Sequence, residues 1–517
     1  MTERVLIAGG GTAGWMTAAY LQASFGDKVA VTLVESATVG AIGVGEATFS
    51  TIRHFFHSIG LNERDWMPAC NATYKLGIRF VDWRCPGHDF YHPFERPTTL
   101  NGYSMTEWWL RCRPSERFDR DCFILASMCD TLRAPFSLGG QLFEGDGHTL
   151  SAGQRTMLDD EDTQYPYAYH FDASLLADYL MRLATSRGVR RIVDSIVDVK
   201  RSESGVGGLV TQEHGTLEAD LYVDCTGFRG LLLSKALEEP FVSFQHLLPN
   251  DSAVALRVPA DIEKDGIRPY TTATAKDAGW MWTIPLYGRN GVGYVYASDY
   301  CTKDEAERVL RESVGPAADD LEANHIRMRI GRSRNSWVGN CVAIGLSSGF
   351  VEPLESTGIF FIQHGIEQLV RHFPAGRLDQ RLVDQYNRRV ARCIDGIAEF
   401  LAFHYRASGR ADNAYWKATK ERELPGDLAE RISLWQAELP DEGSIYPHYH
   451  GFEPYSWVAL LIGLGGIPVR QRPVIDLLDA APAEAEFARL RQRSAQVVAE
   501  LPTQFSYFTH MRRPLSV

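Results

Sequence analysis

Apolar positions along the chain recur at two spacings, which predict strands and helices in alternation. Residues 5–8 form a short, fully apolar run typical of a buried strand, and residues 15–25 follow with helical spacing. A second apolar run at residues 29–34 predicts another strand. This strand–helix–strand order predicts an α/β fold for the beginning of the chain.

Strict alternation of apolar and polar residues predicts two further strands. Over residues 74–80 the even positions are apolar, so Lys75 lies on the opposite face of a rigid strand, where a lysine is ordinarily solvated. Over residues 279–286 the alternation places Trp280 and Trp282 on one face, and Asn290-Gly291 is expected to turn the chain into a partner strand. The two tryptophans form either a wall or ordinary sheet packing.

Helical spacing returns after residue 356. Ser356 is a candidate N-cap, and the apolar residues behind it predict a helix from about Thr357 to just before Pro374. Gly358 in the first turn leaves the helix N-terminus open to a small anion. Glu355 stands immediately before this helix. Its carboxylate either takes part in the reaction or simply stabilises the helix N-terminus through the helix dipole.

A glycine-rich turn joins the first predicted strand to the first predicted helix. Residues 9–14 read Gly-Gly-Gly-Thr-Ala-Gly, the G-x-G-x-x-G pattern that allows a pyrophosphate to approach a helix N-terminus closely. Glu35 ends the second strand about 20 residues later, where an acid binds a ribose hydroxyl. Strand, turn, helix and acid together predict a Rossmann-like, dinucleotide-binding module.

Two features favour FAD over a nicotinamide cofactor. Residues 221–230 predict a late strand that closes on Thr226-Gly227, as in flavoproteins with two dinucleotide folds, and the sequence has no second G-x-G-x-x-G pattern. The glycines within residues 41–50 permit a loop that lies flat against a ring system. A flavin that has to be reduced is then expected to arrive already reduced from another protein.

Length and charge limit the remaining possibilities. A chain of 517 residues exceeds one ordinary core, so we expect an FAD-binding module over residues 1–92 and 164–373, and a mainly helical substrate module over residues 93–163 and 374–517. The net charge of −12 without a long basic run argues against nucleic acid and anionic membranes as partners. Nine scattered cysteines form neither a disulfide framework nor a metal site and suit a reducing cytoplasm.

Several short motifs together resemble those of the flavin-dependent tryptophan halogenases. They are residues 9–15, residues 43–48, Lys75 within Asn-Ala-Thr-Tyr-Lys, the pattern Trp280-x-Trp282-x-Ile-Pro, and residues 355–358, Glu-Ser-Thr-Gly. The resemblance covers essentially the whole chain. It is nearest to the branch that halogenates indole at C5, through residues 48–56, 91–95 and 446–453.

This resemblance implies an enzyme that uses reduced FAD, dioxygen and chloride or bromide to make hypohalous acid, which crosses a tunnel to a separate substrate pocket. Thr357 and Gly358 correspond to the halide-binding pair. Lys75 corresponds to the catalytic lysine, which either hydrogen-bonds hypohalous acid or carries the halogen as a haloamine. Glu355 corresponds to a second catalytic residue, which stabilises the cationic ring intermediate, orients the oxidant or accepts the ring proton.

The resemblance also implies binding residues. The expected FAD contacts are Gly9, Gly11, Thr12, Ala13, Gly14, Glu35, Ser36, Val39, Ile42, Val44, Ala47, Ile196, Leu346 and Ile359. The expected contacts of L-tryptophan are Phe49, Ser50, His92, Phe94, Gln164, Tyr167, Glu453 and Tyr455. Trp280 and Trp282 are expected to keep the organic substrate away from the flavin. Another indole, or a tryptophan inside a peptide, stays open as the substrate.

The remaining expectations concern partners and rival functions. A separate NAD(P)H-dependent flavin reductase is expected to supply FADH2 to a cytoplasmic enzyme of antibiotic biosynthesis, with a homodimer as an open possibility. One rival is an FAD monooxygenase that hydroxylates an aromatic ring, which needs neither a halide site nor a lysine far from the flavin. The other is a flavin-binding scaffold without turnover, against which Lys75 and Glu355 both argue.

Overall fold

The computed structural model describes residues 3–37, 45–143, 165–425, 427–445 and 452–512, which form a mixed α/β protein. The strands are β1 (Glu3–Ala8), β2 (Val29–Glu35), β3 (Glu46–Ala47), β4 (Thr73–Lys75), β5 (Gly77–Val81), β6 (Asp89–Pro93), β7 (Thr99–Leu100), β8 (Tyr103–Ser104), β9 (Ala168–Phe171), β10 (Arg190–Val193), β11 (Ile196–Ser202), β12 (Gly205–Thr211), β13 (Gly215–Leu217), β14 (Leu221–Asp224), β15 (Phe241–Ser243), β16 (Ser252–Pro259), β17 (Tyr270–Lys276), β18 (Gly279–Leu286), β19 (Arg289–Tyr296), β20 (Asn324–Arg327), β21 (Gly331–Ser333), β22 (Trp337–Val338), β23 (Cys341–Ala343) and β24 (Gly349–Phe350).

The helices follow the same chain order. They are α1 (Thr12–Phe25), α2 (Ile52–Ser58), α3 (Glu63–Ala69), α4 (Met105–Cys112), α5 (Phe118–Cys122), α6 (Ile124–Asp130), α7 (Ala173–Ser186), α8 (Ile262–Asp265), α9 (Lys303–Val314), α10 (Gly358–Arg371), α11 (Gln380–Ala407), α12 (Ala414–Glu421), α13 (Leu428–Leu434), α14 (Glu442–Ile445), α15 (Pro454–Leu464), α16 (Ala481–Glu500) and α17 (Gln504–Met511). Among the described residues, no helix combines the length and apolar character needed to span a bilayer.

The chain divides into two compact units. The first contains Met1–Ala72, Phe171–Asp251 and Arg327–Ile397, and the second contains Thr73–His170, Ser252–Ile326 and Ala398–Val517. The division predicted from the sequence differs from these units, because it placed residues 73–92, 164–170 and 252–326 with the FAD-binding module and residues 374–397 with the substrate module. The assignment of one module to FAD and the other to the substrate stays a prediction.

The first unit is built on a six-stranded sheet with the order β10-β2-β1-β14-β23-β22. Strand β22 runs antiparallel to β23, and the other neighbouring strands are parallel. Strand β1 lies inside this sheet because its run at residues 5–8 is apolar and fully buried. Helix α1 packs on α7 and α10. This arrangement confirms the Rossmann-like fold that the glycine-rich turn predicted.

The second unit contains a seven-stranded sheet with the order β20-β16-β19-β18-β17-β5-β6. Its central hairpin, β18–β19, turns at Tyr287 and Gly288, and Gly288 has a φ of 86°, which suits glycine. The predicted turn at Asn290-Gly291 is therefore wrong. These two residues lie in β19 and pair with β18 in the hairpin, because the chain reverses earlier, where a glycine accepts the positive φ.

Candidate functional site

The glycine-rich turn in the first unit has an open helix N-terminus. Gly9 has a φ of 107°, a left-handed value, and its N–H donates to the Val34 carbonyl at 2.8 Å. Gly11 is the N-cap of α1, no side chain caps it, and a Cβ built on it would meet no atom within 4 Å. The first N–H groups of this 14-residue helix are therefore accessible to a phosphate.

Glu35, at the end of β2, has a carboxylate that two donors hold. Arg191 Nε donates to its Oε1 at 2.5 Å and Trp15 Nε1 donates to its Oε2 at 3.2 Å. The carboxylate lies against the turn, since a Cβ added to Gly10 would come within 1.4 Å of Oε2. Arg191 lies on β10, far away in the sequence, and no pattern in the sequence pointed to it.

The other predicted FAD contacts take varied environments in the first unit. The Thr12 hydroxyl donates to the Ala173 carbonyl at 3.4 Å, and the Ser36 and Ser195 hydroxyls lie 3.2 Å apart. A Cβ on Gly14 would come within 1.9 Å of the Gly9 carbonyl, so the turn and the helix are tightly packed there. Ala13 and Ile196 and Leu346 are half-buried, and Ala47 and Ile359 are buried. Val39, Ile42, Val44 and, from the substrate set, Gln164 lie outside the described residues.

Glu355 is the last residue of a short 3-10 helix, Pro353–Glu355, which precedes α10. Ser356 adopts a left-handed conformation, with φ 62° and ψ 38°, and Thr357 is the N-cap of α10. The prediction of Ser356 as N-cap is therefore wrong by one residue, because its left-handed backbone is needed to redirect the chain between the two helices. The predicted end of α10 before Pro374 is confirmed.

The N-terminus of α10 offers polar groups without a blocking side chain. Thr357 is completely buried, and its hydroxyl has no hydrogen-bond partner among the described residues. A Cβ built on Gly358 would meet no atom within 4 Å. A buried hydroxyl, free N–H groups and open space together suit a small anion.

Two buried carboxylates stand just before this helix. Glu355 is 1% exposed and Glu352 is fully buried. The Asn250 side-chain amide donates to Glu352 Oε2 at 2.8 Å, which satisfies part of that carboxylate inside the first unit. Asn250 was not predicted, because an isolated asparagine some 100 residues away gives no signal in the sequence.

Lys75, in the second unit, is fully buried at the end of the short strand β4. The single strand predicted over residues 74–80 is interrupted at Leu76, whose N–H donates to the Pro269 carbonyl at 2.7 Å and whose carbonyl accepts from Phe94 N–H at 3.0 Å. The Lys75 ammonium lies 5.1 Å from the centroid of the Phe94 ring. Lys75 is therefore not a solvated strand lysine, and its charge faces an aromatic ring.

Three of the predicted substrate residues lie together in the second unit. The centroids of the His92 and Tyr455 rings are 6.4 Å apart, and the Tyr455 hydroxyl donates to the Phe94 carbonyl at 3.2 Å. Glu453 forms an ion pair with Arg96, whose Nε donates to Glu453 Oε2 at 2.6 Å. Arg96 was missed in the sequence, and it shares the carboxylate that was expected to hold an ammonium group.

The other described members of the predicted substrate set lie elsewhere. In the first unit, Ser50 is half-buried and Phe49 packs against Phe360 with ring centroids 5.1 Å apart. In the second unit, Tyr167 meets Tyr74 edge to face at 5.3 Å. Tyr167 thus belongs to an aromatic cluster around the residue that precedes Lys75.

Trp280 and Trp282 lie on the same face of β18, as the alternation predicted. Both are buried, and their ring centroids are 6.2 Å apart. Trp282 pairs with Gly293 of β19, and a Cβ added there would come within 2.1 Å of the Trp282 ring. The two indoles therefore form a continuous aromatic surface on one face of the sheet.

Comparisons with known proteins agree with these features. Residues 4–480 match the family model of tryptophan halogenases. Tryptophan 6-halogenase SttH of Streptomyces toxytricini is 58% identical over 513 residues, covering 98% of each chain. The 7-chloro-L-tryptophan 6-halogenase KtzR of Kutzneria sp. (strain 744) is 57% identical over 514 residues, covering 98% of this chain and 99% of that relative.

The solved structure of Tar14, a tryptophan C-6 flavin-dependent halogenase (chlorinase) from taromycin biosynthesis, superposes with a TM-score of 0.95. It is 58% identical and covers 99% of this chain and 100% of its own. The expectation that the chain is nearest to the C5 branch is not supported, because these highly similar proteins are named for position 6. From its fold, its glycine-rich turn and this similarity over nearly its whole length, the chain belongs to the tryptophan halogenase family and is a flavin-dependent enzyme.

Proposed function

We propose that this enzyme halogenates the indole ring of L-tryptophan at C6, with reduced FAD, dioxygen and chloride or bromide. The observation that carries the position is the 57–58% identity, over nearly the whole chain, to proteins named as 6-halogenases. This proposal replaces C5. Because the benzo carbons of indole are not its most nucleophilic positions, the choice of C6 has to come from how the pocket orients the ring.

The first unit has features that fit FAD. The open N-terminus of α1 suits the pyrophosphate. Arg191 and Trp15 hold the Glu35 carboxylate, which we propose accepts a hydrogen bond from a ribose hydroxyl. When bound, reduced FAD would give two electrons to dioxygen, so that one oxygen atom leaves as water and the other oxidises the halide to hypohalous acid. The proposed FAD contacts remain those of the sequence, with Arg191 added as the residue that orients Glu35.

The N-terminus of α10 is the proposed halide site. Thr357 offers a buried hydroxyl, and Gly358 leaves the approach to the first N–H groups open. Both groups donate hydrogen bonds, which an anion requires, and the positive end of the helix dipole favours negative charge. We propose that they hold chloride or bromide.

Lys75 is the proposed catalytic amine. Its burial and its position over the Phe94 ring hold the ammonium in one place, as a reaction at a single ring carbon requires. It donates a hydrogen bond to hypohalous acid or carries the halogen as a haloamine. Glu355 is the proposed carboxylate that stabilises the cationic ring or accepts its proton.

The pocket for the substrate is proposed to include His92, Phe94 and Tyr455, which the structure brings together. Two aromatic rings and an imidazole suit a flat indole. Phe49, Ser50, Gln164, Tyr167 and Glu453 remain proposed contacts from the family resemblance. Trp280 and Trp282 are the proposed barrier against oxygen transfer to the organic substrate.

A separate NAD(P)H-dependent flavin reductase is the proposed source of FADH2. The sequence has one dinucleotide-binding pattern, which is assigned to FAD, and no second one for a nicotinamide cofactor. The name of one relative raises a second candidate substrate, 7-chloro-L-tryptophan. Competition between equal amounts of tryptophan and 7-chlorotryptophan, followed by mass spectrometry, decides between them. We expect tryptophan to be preferred, because two of the three similar proteins are named for tryptophan itself.

The test of the position uses the purified enzyme with FAD, NADH, a flavin reductase, oxygen and chloride. We expect a product in which one chlorine replaces one hydrogen, with the benzo-ring proton H7 lacking an ortho neighbour in the NMR spectrum. An ortho-coupled H7, together with an H4 that lacks an ortho neighbour, instead indicates C5. A product that gains oxygen supports the monooxygenase, and the absence of any product supports the scaffold.

A further inference from the structure

Four buried groups of the second unit form one continuous hydrogen-bonded chain. The Thr73 hydroxyl on β4 donates to the Pro285 carbonyl on β18 at 2.6 Å. His170 on β9 places Nδ1 at 3.1 Å from the Thr73 hydroxyl and Nε2 at 3.0 Å from the Thr271 hydroxyl on β17. Thr73, His170 and Thr271 are at most 4% exposed, so water does not compete for these bonds.

The direction of every bond in this chain follows from counting protons. A carbonyl oxygen only accepts, so the single hydroxyl proton of Thr73 is committed to Pro285. The bond between Thr73 and His170 therefore needs Nδ1 as the donor. Burial, and then the charge of Lys75, hold the pKa of His170 well below its usual range, so the ring is neutral. Nε2 is left with a lone pair, which accepts a hydrogen bond from the Thr271 hydroxyl.

We propose that His170, as the neutral tautomer protonated at Nδ1, is a positioning residue for Lys75. The inference rests on the proposed catalytic role of Lys75. His170 acts through Thr73 and touches neither substrate nor cofactor in the proposed reaction.

The strand geometry explains why this chain controls the lysine. Thr73 and Lys75 are two residues apart on β4, so their side chains leave the same face. Thr73 pairs with His170, and Lys75 pairs with Ala168, whose small side chain leaves the ammonium room. Strand β4 has three residues, Thr73 to Lys75. A hydrogen bond from the Thr73 side chain therefore restrains the position of the whole strand, including Lys75.

The same chain links the lysine strand to the strand of the tryptophan surface. Pro285 lies on β18, three residues beyond Trp282, and its carbonyl is the final acceptor. The backbone of β4 is also held by its pairing with β9 and by the Tyr74 N–H, which donates to the buried Gln504 side chain at 2.5 Å. Loss of the Thr73 bond should thus change the position of Lys75 while the strand stays attached at Tyr74.

The tautomer is directly measurable in the enzyme loaded with FAD. Imidazole ¹⁵N spectra of histidine-labelled protein contain fifteen histidines, and the signal absent from His170→Asn belongs to His170. We expect a protonated Nδ1 and an unprotonated Nε2, unchanged from about pH 6 to about pH 8. A proton on Nε2, whether as the other tautomer or as the imidazolium, overturns the inference.

Activity of paired variants tests the positioning role. His170→Phe keeps the shape but removes the donor, and we expect kcat for halogenation to fall by about tenfold or more with little change in KM. His170→Asn restores a donor near the position of Nδ1, and we expect it to recover most of that loss. A His170→Phe enzyme with wild-type kcat, or an Asn variant no better than Phe, overturns the positioning role.

The two threonines offer a matched control. Thr73→Val removes the bonds to both Pro285 and His170, whereas Thr271→Val removes only the bond to Nε2. We expect Thr73→Val to lower kcat by several-fold more than Thr271→Val, and equal effects contradict the proposal. If the wild-type enzyme shows no halogenation, the proposed function and the positioning role are overturned together. If the wild type is active and the His170 variants have the same kcat, the positioning role alone is overturned.

Discussion

The segment around Glu355 and the strand of Lys75 hold their functional groups by different physical means. Glu355 is placed by backbone shape, in a 3-10 turn followed by the left-handed Ser356. Lys75 lies on regular extended backbone and is placed by buried side chains, through Thr73 and His170. Substitutions that alter backbone preference should therefore affect the first segment, and loss of single hydrogen-bonding atoms should affect the second.

The most severe test removes the amine itself. Lys75→Ala should lower halogenation by about a thousandfold or more, since it removes the group proposed to deliver the halogen. FAD binding and oxygen consumption should stay largely intact, which flavin fluorescence and an oxygen electrode measure. Lys276→Ala, at the end of β17 in the same unit, is the matched control and should keep full activity. Loss of FAD in Lys75→Ala contradicts the placement of Lys75 away from the cofactor.

The carboxylate should matter next. Glu355→Gln keeps the size of the side chain and should lower kcat by about a hundredfold, because an amide neither accepts the ring proton nor stabilises a cation as a carboxylate does. Substrate binding measured by calorimetry should change little. An unchanged turnover rate removes Glu355 from the mechanism.

A pH experiment tests the buried side-chain networks of the second unit. Glu95 is 1% exposed, accepts the Leu125 N–H at 2.7 Å at the start of α6, and burial raises its pKa to about 8. From about pH 5 to about pH 8 the folded state holds a proton that the unfolded state loses, so stability falls as pH rises, by at most about 1.4 kcal/mol per pH unit. The melting temperature of Glu95→Gln should therefore depend less steeply on pH than that of the wild type. Parallel profiles contradict the prediction.

The smallest expected effect belongs to the backbone of the first unit. Ser356→Gly removes the side chain but suits the φ of 62°, whereas Ser356→Ala removes the hydroxyl and keeps the strain. The alanine variant should be less stable than the glycine variant by about 1 kcal/mol. Melting temperatures of the two variants measure this difference. Equal melting temperatures would show that the left-handed conformation of residue 356 does not cost the protein stability.

Much of the fold was predictable because its signals are local. The turn at Gly9, the acid at Glu35 and the shared face of Trp280 and Trp282 follow from spacing alone. The position of the helix after residue 356 was predicted to within one residue. The family motifs likewise assign catalytic roles to Lys75 and Glu355, and these roles stay predictions.

The parts that were missed depend on contacts between distant residues. Nothing near Leu76 in the sequence shows that the strand breaks there, since the acceptor for its N–H lies at Pro269. His170 gave no signal in the sequence, because its hydrogen-bond partners are two threonines about 100 residues away, Thr73 on β4 and Thr271 on β17. The C5 expectation failed because short motifs around the pocket do not report how the ring is oriented within it.

The contact between Trp282 and Gly293 sets a condition for engineering. Any side chain at position 293 would collide with the indole, since its first carbon would already lie within 2.1 Å of the ring. Mutant libraries intended to admit bulkier aromatic compounds should accordingly leave residue 293 unchanged and diversify elsewhere. A library that varies residue 293 while keeping Trp282 would consist mostly of proteins in which the Trp282 indole has been displaced.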